Sequence, residues 1–321
     1  MTTQAAKPPL HVVAGVISNA QNQVLIALRA PNVHQGSLWE FSGGKVEAGE
    51  MPLHALKREL AEELNITVEA ARPLIQVNFS YGDCAILLDV WRVTEWHGEA
   101  CGHEGQKIAW CEIHELHQRH FPAANYHIIE AIKLPEQYLI TPDFNPDNSA
   151  DFFYQLERSI AEHSIDIVQF RAKQLADNTY LHYAEQVLQL TERYGTRVLL
   201  NTDPKYVMQI GAHGVHLSTQ RLHSCQNRPL PNHLKVAASC HTAEDIQQAD
   251  AISVDFMVVG AVKPTQTHPN TLPLGWEKFQ HLTTLTNRPI YALGGLKPID
   301  KTTAWHYGAQ GIAAIRGLWE Y

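Results

Sequence analysis

Cysteine, positive charge and long apolar runs are all scarce in this chain of 321 residues. Five cysteines without a CxxC pair give no disulfide framework and indicate a reduced, cytoplasmic setting. No apolar run reaches the roughly 18–20 residues of a membrane helix, and residues 1–10 lack the apolar core of a secretory signal. The net charge of −8 argues against a nucleic-acid polymer as a partner. A small anion held through a metal ion is compatible with that charge.

The length predicts about two domains, at roughly 150 residues each. In the first half, two β-rich runs, HVVAGVI and QVLIAL, flank the turn Ser18–Asn22 and predict a hairpin. Helical patterns lie at Pro52–Leu64 and Ala123–Leu134, with the strand-like runs ILLDVWRV and KIAWCEI between them. These patterns predict an α+β domain at residues 1–134, followed by a linker at residues 135–137.

The second half alternates short apolar runs with helical patterns. Its eight runs are YLIT, IDIVQF, RVLL, GVHL, KVAAS, FMVVG, PIYAL and GIAAI. Eight β/α units predict a short, closed (β/α)8 barrel over residues 138–321, with a doubly wound open sheet as the alternative. The chain ends six residues after the last run, which leaves no room for an eighth covering helix. We expect the first domain, the linker or a second copy in a homodimer to cover that apolar flank.

Residues 44–66 read GKVEAGEMPLHALKRELAEELNI and concentrate acids on one helix face. Glu59, Glu62 and Glu63 stand at i, i+3 and i+4, where like charges repel by roughly a few tenths of a kcal/mol per pair. A solvated acidic face would tolerate this repulsion. A divalent ion would neutralise these charges, because carboxylate oxygens are the hard ligands that Mg²⁺ prefers. The glycines just before the helix favour the ion, since they permit a sharp turn that offers backbone carbonyls.

This segment resembles the Nudix box, in which a glycine, five residues, a glutamate and seven residues precede RELAEE. Asn65 replaces a usual glycine, but asparagine also tolerates the left-handed conformation that ends a helix, and Ser42 replaces a frequent proline. The resemblance implies a Nudix fold, with a mixed sheet between helices, and hydrolysis between phosphates with Mg²⁺, or Mn²⁺ in its place. It implies metal binding by Glu59, Glu62, Glu63 and the Gly43 carbonyl, a salt bridge from Arg58 that orients the carboxylates, loop support from Glu50, and proton transfer to Glu59 or Glu62.

The likeness to the MutT-type 8-oxo-dGTP diphosphatases extends over about residues 10–134. WEFSGGKVEAGE resembles their strand and loop, GHEGQKIAW their late metal-binding segment and FPAANYHIIEAIKL their C-terminal helix. The second segment places Glu104 as a further metal ligand. The resemblance places the nucleotide against Arg29, His34, Glu40, Phe41, Ser42, Gly43 and Asn125. It implies a role in mutation avoidance, a form of DNA repair that protects DNA replication.

Asn125 has a chemical reason to read an oxidised base. The 8-oxo form of guanine carries a hydrogen on N7 beside the acceptor O6, and an asparagine amide offers the matching acceptor and donor. Ordinary guanine would leave a buried group facing a like group, a mismatch that can cost about 10⁴-fold in selectivity. The alternative is that Asn125 is only the N-cap of the helix that follows FPAA.

The second half resembles thiamine-phosphate synthase and its relative, the thiazole tautomerase, over about residues 138–321. The segments VQFRAK, LLNTD, GAHGVHL, ASCHT, GAVKPTQTHP and ALGG carry the resemblance. Backbone amides after strand seven commonly hold phosphate in such barrels. The candidates for binding a phosphate ligand are Gln169, Arg171, Lys173, Asn201, Ser239, His241, Thr265, Thr267, Gly294, Gly295 and Arg316.

Four positions depart from the synthase pattern. Thr202 and Arg221 stand where the synthase carries magnesium-binding aspartates, His268 replaces a lysine and Arg316 replaces a serine. Departure of diphosphate without magnesium loses its main charge stabilisation, so we expect no full synthase activity. Two alternatives to a plain 8-oxo-dGTP hydrolase stay open. One is a bifunctional thiamine-pathway enzyme that cleaves thiamine or pyrimidine diphosphates, and the other is a hydrolase joined to a non-catalytic, ligand-binding barrel.

Overall fold

The computed structural model describes residues 8–82, 84–265 and 272–321. The chain divides into two compact units, Met1–Lys133 and Leu134–Tyr321. Each unit has hydrophobic clusters of its own. Within the described ranges, no helix combines the length and the apolar character needed to cross a bilayer.

The described part of the first unit contains two three-stranded sheets with the orders β1-β5-β4 and β3-β2-β6. The strands are β1 (Leu10–Ile17), β2 (Val24–Leu28), β3 (Trp39–Glu40), β4 (Ile66–Tyr81), β5 (Cys84–Gly98) and β6 (Ile108–Cys111). The helices are α1 (Pro52–Leu64), α2 (Asn125–Ile132) and a 3-10 helix at Ile113–Gln118. Parallel pairing of β1 with β5 and antiparallel pairing of β4 with β5 make the first sheet mixed, as predicted.

Strand β1 lies between β5 and the glycine-rich segment that precedes α1. On the edge away from β5, the N–H of Val13 donates to Gly44 O over 2.8 Å and the N–H of Gly15 donates to Ser42 O over 2.9 Å. The predicted hairpin of β1 and β2 forms only at its turn, where Ser18 and Val24 make an isolated antiparallel bridge. Beyond that bridge the prediction is wrong, because the two strands do not pair with each other. The glycine-rich segment occupies the edge that a hairpin partner would need, and β2 pairs with β3 and β6 instead.

Helix α1 has the predicted bounds, and both ends have a local cause. Pro52 begins it, where a missing N–H costs nothing. Asn65 ends it in the left-handed conformation, with φ 56° and ψ 37°. Leu56, Leu60 and Leu64 are fully buried, and each contributes about 1.5–3 kcal/mol to folding. Burial of this leucine face leaves the acidic face of the helix for the cleft beside it.

Strand β4 is an element that the sequence patterns did not indicate. It runs for 16 residues and pairs antiparallel with β5 through register shifts near Ala70 and Pro73. A proline and scattered charges interrupt the alternation that normally marks a strand. Pairing along β5 overrides this weak local pattern.

The second unit is a closed barrel of eight parallel strands. The strands are β7 (Gln137–Ile140), β8 (Ile167–Phe170), β9 (Arg197–Leu200), β10 (Gly214–Leu217), β11 (Lys235–Cys240), β12 (Phe256–Gly260), β13 (Ile290–Leu293) and β14 (Gly311–Ala314). The helices are α3 (Ser149–His163), α4 (Asp177–Glu192), α5 (Lys205–Ile210), α6 (Thr219–Ser224), α7 (Ala243–Ala251), α8 (Trp276–Thr283) and α9 (Lys301–His306). All eight predicted runs are strands, and pairing of β14 with β7 excludes the open sheet.

The last residues of the chain pack against α3. Leu318 and Trp319 are buried, and the Trp319 ring centroid lies 5.1 Å from that of Phe152. The indole N–H of Trp319 donates to the side chain of Gln155 over 3.0 Å. The chain's own tail thus covers part of the flank beside α3, a source of cover that the sequence-based expectation did not include.

Candidate functional site

The segment Ser42–Val46 forms one wall of a cleft, and close contacts require its two glycines. A Cβ atom at Gly43 would lie 2.1 Å from the carbonyl oxygen of Val13. A Cβ atom at Gly44 would lie 2.2 Å from the carboxylate of Glu59. The cleft is lined by Leu10, residues 43–48, Glu59 and Glu63. The paired glycines therefore let the backbone approach both β1 and the acidic face of α1.

Arg58 on α1 holds three carboxylates at once. Its guanidinium lies 2.9 Å from Glu50, 2.8 Å from Glu59 and 3.4 Å from Glu62, and it also donates to the carbonyl of Lys45 over 3.1 Å. Hydrogen bonds to Glu50 and Glu59 raise the pKa of Arg58 above its ordinary value. The bond from Arg58 lowers the pKa of Glu50. Arg58 thus ties the acidic face of the helix to the loop before it.

Glu63 has the most perturbed carboxyl group of this acidic face. Burial, followed by the negative charge of Glu40, raises its pKa to about 7, and Glu59 and Glu104 add to the rise. A bond of 3.2 Å from the N–H of Gly43 opposes that rise. Several carboxylates are therefore close enough to repel one another here, and a cation would relieve the repulsion.

Residues 101–106 bring Glu104 towards this cleft because they satisfy the end of α1. The N–H of His103 and the side-chain amide of Gln106 both donate to the carbonyl of Glu63, over 2.9 Å and 2.8 Å. The last carbonyls of a helix have no partner within it, so such bonds stabilise its C-terminus. The loop that caps the helix therefore also carries the fourth candidate metal carboxylate.

The chemistry of the cleft fits a hard divalent cation, although its carboxylates do not surround one point. Among the described residues, no three His, Cys, Asp or Glu side chains are placed to hold an ion together. Glu62 is turned towards Arg58, and Glu63 accepts the N–H of Gly43. The available donors are oxygen atoms, which Mg²⁺ prefers. Beside burial, the charges of Glu40, Glu59 and Glu104 raise the pKa of Glu63, and a bound cation would oppose that effect.

The polar residues expected to contact the nucleotide form a connected group next to the acids. Arg29 makes an ion pair with Glu40 and donates to the carbonyl of His34 over 2.8 Å. Burial raises the pKa of Glu40, and the pair with Arg29 opposes this rise. Because the charge of Glu40 also acts on Glu63, the group adjoins the acidic cleft.

Asn125 is the first residue of α2 and not its N-cap, a position that Ala124 occupies. The Asn125 side chain is buried, and its Oδ1 accepts the backbone N–H of Phe41 over 3.3 Å. A backbone N–H can only donate, so this bond assigns which atom of the amide is oxygen. The alternative of a capping asparagine is therefore wrong. Next to Phe41, Ser42 is buried and its hydroxyl has no hydrogen-bond partner among the described residues.

Two aromatic residues near the end of β4, Phe79 and Tyr81, adjoin the group expected to contact the nucleotide, and the sequence patterns did not indicate them. The Tyr81 ring lies 5.6 Å from His34, edge-on, and 4.8 Å from Phe79. The Tyr81 hydroxyl accepts the N–H of Ala124 over 3.1 Å. This bond holds the start of α2, and with it Asn125. An aromatic pair two residues apart was the available signal, but it required β4 to be recognised first.

In the second unit, a cavity of about 810 Å³ opens at the carboxyl ends of the barrel strands, where barrel enzymes place their sites. Candidates that line it are Gln169, Arg171, Lys173, Asn201, Ser239, His241, Thr265, Gly294, Gly295 and Arg316. Thr267 lies outside the described residues. The cavity is also lined by residues that the sequence did not indicate as ligand contacts, including Asp177, Tyr180, Arg221 and Lys297.

A buried chain of polar groups leads from this cavity into the barrel. The His216 ring lies 2.8 Å from the hydroxyl of Ser239 and 3.1 Å from that of Tyr138. The amide of Gln169 donates to the Tyr138 hydroxyl over 3.3 Å. Burial lowers the pKa of His216 to about 3, so the ring is neutral at physiological pH. Its two nitrogens therefore connect a cavity residue to the barrel interior without adding charge.

Comparison with known proteins separates the same two parts. A family model described as NUDIX domain matches residues 13–131, and one described as thiamine monophosphate synthase matches residues 137–318. The chain is 37% identical over 124 residues to an 8-oxo-dGTP diphosphatase of Escherichia coli, covering 39% of this chain and 96% of that protein. It is 35% identical over 122 residues to a CTP pyrophosphohydrolase of the same species, covering 38% and 90%.

The barrel has relatives of its own. It is 31% identical over 185 residues to a putative thiamine-phosphate synthase 2 of Aquifex aeolicus, covering 57% of this chain and 97% of that protein. Each match spans nearly the whole of its relative and only one unit of this chain. The chain therefore belongs to the Nudix family through its first unit and to the thiamine monophosphate synthase family through its second.

Proposed function

We propose that the Nudix domain hydrolyses 8-oxo-dGTP to 8-oxo-dGMP and diphosphate with Mg²⁺, and so removes an oxidised nucleotide before DNA synthesis. Membership of the Nudix family, with 8-oxo-dGTP diphosphatases among its relatives, makes the domain a hydrolase of phosphoanhydride bonds. The finer assignment concerns the base and the ion. The observation that carries it is the buried amide of Asn125, held by the N–H of Phe41 beside the acidic cleft.

The orientation of that amide matches the oxidised base. Because Oδ1 of Asn125 faces the N–H of Phe41, the amide cannot turn over without losing this bond. A carbonyl oxygen has two acceptor positions, so Oδ1 can also receive the N7 hydrogen of 8-oxoguanine while Nδ2 donates to O6. Unmodified guanine would set N7 against Oδ1, two acceptors that repel. Selectivity for the oxidised nucleotide then follows from one fixed side chain.

The acidic cleft supplies the groups for the phosphate chemistry. Glu59, Glu62, Glu63 and Glu104, with the carbonyl of Gly43, would hold the ion. When bound, a divalent cation neutralises the phosphates and helps align water for in-line attack on phosphorus. Arg58 keeps the carboxylates of Glu50, Glu59 and Glu62 in place. Glu59 or Glu62 would accept the proton of the attacking water.

A substrate panel on the full-length protein tests the proposal. We expect kcat/KM for 8-oxo-dGTP to exceed that for dGTP by on the order of 10⁴-fold, with CTP and thiamine diphosphate hydrolysed no faster than dGTP. Preference for CTP, the substrate named for one relative, would overturn the base assignment. Preference for thiamine diphosphate would establish the thiamine-pathway alternative in its place.

Two variants test base recognition and metal binding separately. Asn125→Ala should lose the preference for 8-oxo-dGTP and keep Mg²⁺-dependent hydrolysis of other nucleotides. Glu63→Gln should lower turnover of all substrates by at least about 10²-fold. Glu69→Gln is the matched control, because Glu69 is an exposed acid of β4 paired with His97. Loss of turnover in the control, or wild-type turnover in Glu63→Gln, would contradict the assigned roles.

For the barrel, we propose that it does not complete the synthase reaction. The described lining of its cavity includes one acid, Asp177. Thr202 and Arg221 also line the cavity, at the two positions where the resemblance to the synthase would place magnesium-binding aspartates. Release of diphosphate needs strong charge stabilisation. A mixed assay with the two synthase substrates should therefore yield no thiamine phosphate above background, and clear product formation would refute this part.

A further inference from the structure

Basic side chains outnumber acidic ones in the described lining of the barrel cavity. Its described lining contains five basic side chains and one acidic one. The basic residues are Arg171, Lys173, Arg221, Lys297 and Arg316, and the acid is Asp177. Basic groups that face one cavity repel one another unless an anion lies between them. The charge pattern therefore indicates an anionic ligand.

The acids around the cavity reduce this excess and do not cancel it. Asp143 pairs with Arg171 over 2.5 Å, and Asp177 accepts the hydroxyl of Tyr206 over 2.7 Å. Partial desolvation and the charge of Arg171 still lower the pKa of Lys173, although Asp143 opposes this. The environment of Lys173 is therefore net unfavourable for its positive charge, and a bound anion would reverse that.

The same walls do not fit a divalent cation. Asp203, the acid closest in sequence to the lining residue Thr202, does not line the cavity and is paired with Lys205 over 3.3 Å. The hydrogen bond from the backbone N–H of Lys205 lowers the pKa of Asp203, and the charge of Arg221 adds to this effect. An ion such as Mg²⁺ would meet arginine and threonine here in place of carboxylates.

We infer that the barrel binds a phosphate-bearing ligand directly, without a divalent cation, and that Arg221 supplies the positive charge that a metal ion would otherwise provide. An arginine can do this because its planar guanidinium binds phosphate oxygens through two parallel hydrogen bonds and stays charged at any physiological pH. The glycines after β13, Gly294 and Gly295, also line the cavity and add backbone amides to it.

The apolar part of the cavity lining indicates the chemistry of the ligand beyond its phosphate. Apolar side chains, including Ile140, Leu175, Leu293 and Ile315, line it together with the basic groups. A cavity of this kind suits a ligand with a phosphate or diphosphate at one end and an apolar or ring-containing body at the other. The shared feature that the structure recognises is the phosphate end, so the simplest probe is inorganic diphosphate.

Calorimetric titration of the full-length protein with inorganic diphosphate in EDTA tests the inference. Chelation leaves the acidic Nudix cleft without an ion, so it should repel this probe. We expect saturable binding in EDTA that weakens about tenfold in Arg221→Gln, since one charge-assisted contact is lost. Arg221→Lys should recover part of the affinity. Binding should also weaken with added NaCl.

Matched variants locate the binding and guard against misfolding. Arg193→Gln changes an exposed arginine of the same unit, paired with Glu157, and should bind as the wild type does. Lys173→Gln gives a second cavity variant if Arg221→Gln does not fold, and it should also weaken binding. Absence of binding in EDTA, binding only after Mg²⁺ is added, or equal affinity of both cavity variants and the wild type would each overturn the inference.

Discussion

Replacing Gly44 with alanine would put a methyl group where the Glu59 carboxylate now lies. The added Cβ would be 2.2 Å from two carboxyl atoms of Glu59 and 2.3 Å from the third. An ordinary contact begins at 3.4 Å, so the carboxylate must retreat by roughly 1 Å. Glu59 can do so because it is the end of a flexible side chain, whereas the backbone at Gly44 stays in place.

The expected effect falls on activity and spares the fold. A misplacement of about 1 Å at a reacting centre costs on the order of 10²-fold in rate, so kcat/KM should drop by about that factor. The stability cost is limited to the ion pair of Glu59 with Arg58, which is partly exposed and contributes at most about 1 kcal/mol. The thermal midpoint of unfolding should therefore fall by only about 4 °C.

The assay compares release of diphosphate from 8-oxo-dGTP by the wild type, Gly44→Ala, Glu59→Gln and the double variant. If alanine acts by displacing Glu59, the two substitutions remove the same contribution and the double variant should be no slower than Glu59→Gln alone. Wild-type turnover in a folded Gly44→Ala protein, or fully additive losses in the double variant, would refute the reasoning.

Three further predictions concern positions outside the acidic face. Tyr81→Phe removes the acceptor for the Ala124 N–H, so the preference for 8-oxo-dGTP over dGTP should fall by roughly threefold to tenfold, with kcat nearly unchanged. A variant with the same preference as the wild type would contradict a positioning role for Tyr81. Burial lowers the pKa of His216 to about 3, so the unfolded chain binds more protons than the folded one below about pH 6.5 and stability should be lost as pH falls. Urea midpoints between pH 6.5 and 4.5 should drop less steeply in His216→Gln, and parallel curves would disprove this. Trp319→Ala should lower the free energy of unfolding by about 3 kcal/mol, measured by urea denaturation, and a change under 1 kcal/mol would show that the tail contributes little.

Patterns that depend on local chemistry could be read from the sequence. The bounds of α1 followed from a proline at one end and an asparagine at the other, and both act through their own backbone conformation. The eight barrel strands could be recognised because strands buried on both sides are continuous apolar runs. The shared helix face of Glu59, Glu62 and Glu63 on α1 could be predicted because side chains three and four residues apart lie on the same side of a helix.

Features that depend on partners distant in the sequence were missed. The pairing of β1 with β2 beyond their turn was wrong because the competing partner was a glycine-rich segment with no strand pattern. Strand β4 was missed because its stability comes from β5 and not from its own alternation. The position of Tyr81 beside the nucleotide site depended on the pairing of β4 with β5, and the position of Arg221 at the cavity depended on closure of the barrel. Arg221 was noticed only as a departure from a pattern, and the charge it adds to the cavity became apparent from the other residues around it.

The backbone bonds between β1 and the segment Ser42–Val46 have a consequence for how fast the Nudix cleft can open. A segment bonded along a strand cannot fray alone, so the amides of Val13, Gly15 and Val46 should exchange with solvent as slowly as those of the sheet itself. A nucleotide then meets a wall that is already ordered. Ordering a mobile lid would reduce the free energy of binding, and this wall avoids that cost. The full binding free energy can then contribute to discrimination between bases.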